Sequence, residues 1–443
     1  MQDKHGLLTS PISLVLRQMT VPMVFGMVAI LLFNLVDTFF VSLLGTQALA
    51  AISFTFPVTF AVNCITMGIG VGLSSCIGRL LGQNEHHGAA RFASHGILLA
   101  IALISLASLA GLLTVEPLFL LLGAESQLLP LINDYMLIWY LTIPLLVIPM
   151  AGNAVIRATG DTRTPAKIMI LAGLINGLLD PLLIFGIGPF PELGIQGAAI
   201  ASAVSWLGAL CCSLYLLIKR EKMLAPPSLT SVVKDWQQVL KIGAPAGLSS
   251  AMTPLSGAVL MKLLAGHGTA AVAAYGAAQR IESLLLLVIM SLASILTTFM
   301  AQNLGADNPK RSFKALFLSM RFSVLFQLLI FIMMVPLSIP LAALFGQEQE
   351  VNDLIWLYLV IVPVSYGFQG IIMLLISALN AMHKSLNAFY WSVLRLFVFT
   401  IPAAWIGSEL YEVQGLFVGI AVGNIVGGGL GYFYALKLRV ENC

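Results

Sequence analysis

Charged side chains are what this chain has least of: Asp, Glu, Lys and Arg make up 9% of its 443 residues, against 59% hydrophobic. A water-soluble protein of this length needs far more charge to cover its surface, so a soluble globular domain is excluded. Cysteine is scarce too. The five residues Cys64, Cys76, Cys211, Cys212 and Cys443 have no metal-ligand spacing and an odd count that suggests no pairing. Four of them sit inside apolar runs, where free thiols serve as small core residues. HExxH, GxSxG and a phosphate-binding loop are all absent, and the six histidines (His5, His86, His87, His95, His267 and His383) lie mostly near helix ends or in loops. No enzyme, metal or cofactor is therefore expected. A net charge of +3 spread over loops offers nothing to a nucleic acid.

What the chain has is long apolar runs. Broken by turns or charge, they predict twelve helices at roughly 14–44, 47–80, 92–114, 127–156, 165–187, 195–218, 236–265, 270–302, 317–345, 352–380, 386–407 and 413–436. Each is long enough to span ~30 Å of hydrocarbon, which makes this an all-α polytopic membrane protein in a lipid bilayer. The first run contains Asn34 and Asp37 and lacks a small-residue cleavage site, so it does not read as a cleavable signal. The basic residues then orient the spans. Nineteen of 22 fall in the ends and loops of one side, leaving Lys262, Arg280 and Arg395, while the opposite loops carry Glu116, Glu125, Glu192, Glu348, Glu350, Glu409 and Glu412. Both termini are expected in the cytoplasm, and the protein in the inner or plasma membrane.

The halves repeat. An offset of 223 pairs Pro22 with Pro245, Gly45-Thr46 with Gly268-Thr269 and Leu81-Gly82 with Leu304-Gly305; later it shrinks to 219 for Pro144 and Pro363, and to 218 for Gln196-Gly197 and Gln414-Gly415. Each half starts in the cytoplasm, so these are two parallel six-helix repeats, the arrangement of transporters with a site between two lobes. The expected division is an N-terminal lobe over 1–218, a linker over 219–241 with Pro226-Pro227, and a C-terminal lobe over 242–443.

The repeat is asymmetric in its acids. Asp37 pairs with Leu260 and Asp180 with Val398 or Phe399, so the scaffold was duplicated while these carboxylates belong to the first lobe alone. Asp37 lies 20 residues past Arg17, roughly 30 Å along a helix, inside the membrane. An intramembrane carboxylate costs several kcal/mol and is usually kept because it binds or moves something. Asp180 falls at a similar depth, one helical turn after Asn176, and Asn34 stands one turn before Asp37. Two acids within reach of each other can share a proton. Tyr135 and Ser202 lie where they can join the cluster. Pro22 removes a backbone donor and lets the first helix bend. In the second lobe the polar candidates are Arg280, Glu282 and Arg395, either paired with one another or touching substrate. Gly68, Gly70, Gly72, Gly423 and Gly427 are expected at close helix contacts.

Twelve helices in two repeats, Pro22 fifteen residues before Asp37, and the segment Asn176-x-x-x-Asp180-Pro181 resemble the multidrug and toxic compound extrusion (MATE) transporters, and most of all their DinF-like branch. The resemblance covers nearly the whole chain. It implies a V-shaped two-lobe fold and export of amphipathic, often cationic drugs by cation antiport, by a protein expected to be a monomer. It further implies that Asp37, Asn176 and Asp180 form a first-lobe proton site with Tyr135 nearby, that Ser202 occupies a hydroxyl position, and that Pro22 is the bend point. NorM-like members place cation-binding acids in helices 7 and 10; here helix 7 offers only Lys262 as a charge and helix 10 is uncharged from Leu354 to Asn380, so a proton is favoured over sodium. Sodium coupling at the same acids and a lipid-linked sugar flippase of the same superfamily are the alternatives.

Overall fold

A computed structural model describes residues 6–228, 230–345 and 348–442; Lys4, His5 and Cys443 lie outside the described residues. The chain is helical almost throughout. In order come α1 (Ile12–Ser42), α2 (Thr46–Gly82), α3 (His86–Leu113), α4 (Val115–Leu121), α5 (Leu129–Ala158), α6 (Arg163–Ile184) and α7 (Ile195–Tyr215). Then follow α8 (Val232–Ala265), α9 (Thr269–Leu285), α10 (Leu287–Gly305), α11 (Pro309–Phe345), α12 (Gln349–Ile361), α13 (Tyr366–Ala381), α14 (Ser385–Val393) and α15 (Ile401–Asn442). Gly45 and Gly268, paired by the repeat, open α2 and α9 with φ of 108° and 104°, a left-handed backbone that only glycine adopts without strain.

Where the elements differ from the sequence expectation, backbone chemistry explains most cases. The span expected at 352–380 is α12 and α13 joined by a 3-10 turn, Val362–Ser365, around Pro363, which has no N–H to continue an α-helix. Among the described residues eleven helical stretches are long and apolar enough to cross a membrane; the last, Ser385–Asn442, contains both final expected spans. Tyr411 and Glu412 break it with non-helical torsions, so it makes two crossings and the total is twelve. Pro309 sits at the first position of α11, where its missing N–H costs nothing, and this carries the helix back from the expected start at 317. The short α4 was not expected, nor was the interruption at Leu286 between α9 and α10.

Many large apolar side chains, among them Phe25, Leu35, Phe39, Leu106, Leu325 and Phe433, are exposed. A contiguous apolar exterior on this scale belongs in lipid, not water. Cys64 and Cys76 are buried, whereas Cys211 is exposed and so is not the core residue expected.

The helices form two compact units. One is Gln18–Gly247; the other joins Leu7–Arg17 to Leu248 and the residues after it. The division therefore departs from the boundaries at 218 and 242: the segment 219–241 and the first part of α8 belong to the first unit, and the start of α1 to the second. The first unit packs around Leu73, Ile77, Ala93, Met136, Val147 and Ile184. The second packs around Leu264, Tyr358, Leu359, Phe417 and Ile420. In the second unit the Asn303 amide and the Arg311 guanidinium both donate to the carbonyl of Leu7, at 3.2 and 3.1 Å, which holds the N-terminal segment.

Side chains hold the segment after α7 in the first unit. Asp235 accepts from Arg91 Nε at 3.0 Å and lies 2.7 Å from His95 Nδ1, while Ser228 N–H donates to His95 Nε2 at 3.0 Å. Because Nε2 accepts, Nδ1 carries the hydrogen given to Asp235, and the fully buried imidazole is neutral in this geometry. None of these partners was anticipated; Asp235 is 140 residues from His95.

At the start of α6, Asp161 accepts from the N–H groups of Arg163 and Thr164 at 2.9 and 3.1 Å and pairs with the Arg220 guanidinium. Burial opposes its ionisation, yet the hydrogen bonds from Thr164 and Arg220 and the guanidinium charge outweigh it and hold the carboxyl below its ordinary 3.8. A depressed folded value means stability that is present above the unfolded pKa and lost as pH falls through the folded one. Asp161→Asn is therefore expected to cost about 1–3 kcal/mol near neutrality. The melting-temperature gap to wild type should close as the pH drops below about 4. A gap that persists unchanged in acid would assign the loss to packing instead.

Candidate functional site

Four helices of the first unit bring the polar residues together. α1 carries Asp37, α5 Tyr135, α6 Asn176 and Asp180, and α7 Ser202. Asn176 and Asp180 are fully buried, Ser202 and Tyr135 nearly so, and Asp37 is half-buried. Of the two orientations of the Asn176 amide, the one that satisfies its neighbours donates Nδ2 to Asp180 Oδ2 at 2.8 Å and accepts from Ser202 Oγ at 3.2 Å. Asp180 is thereby bonded to a neutral donor and not to a cation. Asp37 acts on Asp180 through space, and both carboxylates act on Tyr135. Asp37 Oδ1 is buried with no hydrogen-bond partner among the described residues. A buried acceptor left open is a place for a proton or another small donor.

Asn34 is not part of this group. Its side chain is exposed, and its carbonyl takes the Thr38 hydroxyl at 2.7 Å. A three-residue step turns a helix by roughly 300°, which leaves Asn34 about 60° away from the face of Asp37. Pro22 lies within α1, which is helical on both sides of it. The helix there is tied to the loop before α6 by the Thr162 hydroxyl, donating to the carbonyl of Met19 at 2.8 Å.

The second unit has its own partly buried acid. Glu282, on α9, accepts from Tyr358 OH on α12 through Oε2 and from Gln369 Nε2 on α13 through Oε1 at 3.3 Å. Gln279 Nε2 donates to Tyr275 OH at 3.0 Å, and the Tyr275, Tyr358 and Phe417 rings stack edge-on beside them. Of the three charged candidates in this unit, Arg280 is exposed and only Glu282 and Arg395 turn inward. The three do not pair: no ion pair among the described residues involves any of them. Tyr358 and Gln369 stand 76 and 87 residues from Glu282, too far for any sequence spacing to have linked them.

A duplicated helical membrane protein with a carboxylate pair inside its first unit has the makings of a secondary transporter. The chain belongs to the MATE family: the MatE family model matches residues 22–182 and 245–406, one stretch in each repeat. It is thus an integral membrane efflux transporter and not an enzyme. It is similar to the FAD transporter of Shewanella oneidensis, with 46% identity over 99% of this chain and 97% of that one. The probable multidrug resistance protein YoeA of Bacillus subtilis is 26% identical over 85% of this chain and 83% of its own. A crystal structure of the Vibrio cholerae MATE transporter VcmN in the bent form superposes with a TM-score of 0.94 at 33% identity, covering 97% of this chain and 98% of that one.

Proposed function

We propose that the chain exports small amphipathic molecules in exchange for protons, with Asp37 and Asp180 as the proton carriers and both termini in the cytoplasm of an inner-membrane protein. The open Oδ1 of Asp37 carries this reading: it is buried, unpartnered, and within electrostatic reach of a second carboxylate that meets only neutral donors. A proton needs no coordination shell, whereas a hard cation such as sodium asks for several oxygens around it.

The coupling follows from α1. Pro22 has no N–H, so the carbonyl four residues earlier, on Gln18, loses its helical partner and bending there is cheap. Protonation of Asp37 removes a charge from the α1 face and shifts the balance between two positions of the helix. The shift is limited by the difference in proton affinity between the two positions. Substrate release and proton uptake are then linked through one helix.

In proteoliposomes, an inward proton gradient at clamped sodium is expected to drive export. Export driven by a sodium gradient at clamped pH, with no response to a pH gradient, would overturn proton coupling.

A second reading concerns cargo. Identity of 46% along almost the whole of a protein named as an FAD transporter favours FAD over the drugs suggested by relatives at 26%. Cells overexpressing the chain should release flavin dinucleotide into the medium faster than cells carrying an empty vector. Release at the empty-vector rate would reject this cargo.

A further inference from the structure

Arg395 is the charged residue for which the proton site has no use. It lies in a π-helical segment, Leu394–Thr400, between α14 and α15, and only 8% of its surface is exposed. Its guanidinium makes no hydrogen bond and no ion pair with any described residue, and its Nε is buried without a partner. The charge that acts on it through space is Glu282, whose own oxygens are occupied by a phenol and an amide.

A buried guanidinium with no bonded partner costs several kcal/mol, a cost kept inside a membrane span where the group binds something. Gly427 of α15 lies beside its stem: a Cβ there would stand 3.6 Å from Arg395 Cγ, an ordinary contact. π-helical turns inside α-helices are frequent at functional sites.

The repeat adds an independent pointer. At the offset of 219 that pairs Pro144 with Pro363, Arg395 stands opposite Asn176. The same place in the scaffold therefore holds the partner of the proton-carrying acid in the first unit and a free cation in the second.

We propose that Arg395 is a cargo-recognising residue that takes the phosphate of a nucleotide-bearing substrate. This rests on the FAD reading of the cargo given above. The planar fork of a guanidinium matches two phosphate oxygens at once, in a way that a lysine ammonium does not.

The test measures binding of FAD, FMN and riboflavin to the purified full chain by flavin fluorescence. The three share the isoalloxazine ring, and only the first two carry phosphate. Arg395→Gln is expected to weaken FAD at least tenfold relative to riboflavin. Arg395→Lys, which keeps the charge and loses the fork, should weaken it severalfold and serves if the glutamine variant does not fold. A folded variant with the wild-type ratio of FAD to riboflavin affinity overturns the site and leaves the cargo reading standing. Wild-type protein that binds neither FAD nor FMN overturns both.

Discussion

Asp37→Asn should reduce drug or flavin export to the rate of empty vesicles while the protein remains inserted and monodisperse. The carboxamide has nearly the shape of the carboxylate, and Asp37 Oδ1 has no hydrogen bond to lose, so folding has little reason to suffer. What disappears is the ability to take and give up a proton. Asp180→Asn should be impaired as well. Its amide can still accept from Asn176 through its oxygen, so packing is kept while the shared proton is lost. The measurement is substrate uptake by inverted vesicles with a proton gradient imposed, normalised to protein in the membrane. Wild-type export by a well-expressed Asp37→Asn protein would remove the residue from the mechanism.

The largest effect on folding is expected at Gly68. In the first unit, α2 and the opening of α8 approach so closely that a Cβ on Gly68 would lie 2.3 Å from Gly243 O and 2.9 Å from Gly247 N. Both obstacles are backbone and cannot rotate away, so the two helices would have to move apart. Overpacking of this kind costs about 1–3 kcal/mol and sometimes more. Gly68→Ala is therefore expected to lower the melting temperature clearly or to prevent accumulation in the membrane. Gly70→Ala is the control: its Cβ would meet Ala154 Cβ at 3.6 Å, an ordinary contact, and should be nearly neutral. Equal stability of the two variants would show that this crossing can relax.

The glycines also show how far sequence reasoning reaches. Gly68, Gly70 and Gly72 were all expected at close contacts; Gly68 and Gly72 meet backbone, and Gly70 does not. Spacing marks a small-residue face, but the rotation of the helix decides which members of it touch. Asn34 is the same case. Spacing groups it with Asp37, and the structure turns it to the exposed side. Arg280 and Glu282 are two residues apart in sequence, yet one is exposed and the other enters a cluster of phenols and amides.

Sequence alone determined the membrane class, the spans, the duplication and the acids of the first unit. These depend on local properties: the length of apolar runs, the placement of charge in loops, and the identity of residues at a fixed offset. Only tertiary structure decided that Asn176 bridges Asp180 and Ser202, that the first part of α8 belongs to the first unit, and that Glu282 meets Tyr358 and Gln369. It alone showed Asp235 bonded to His95 and Arg395 left without a partner. Contacts between residues far apart in sequence are set by the rotation and approach of whole helices, and that depends on all their packed faces together.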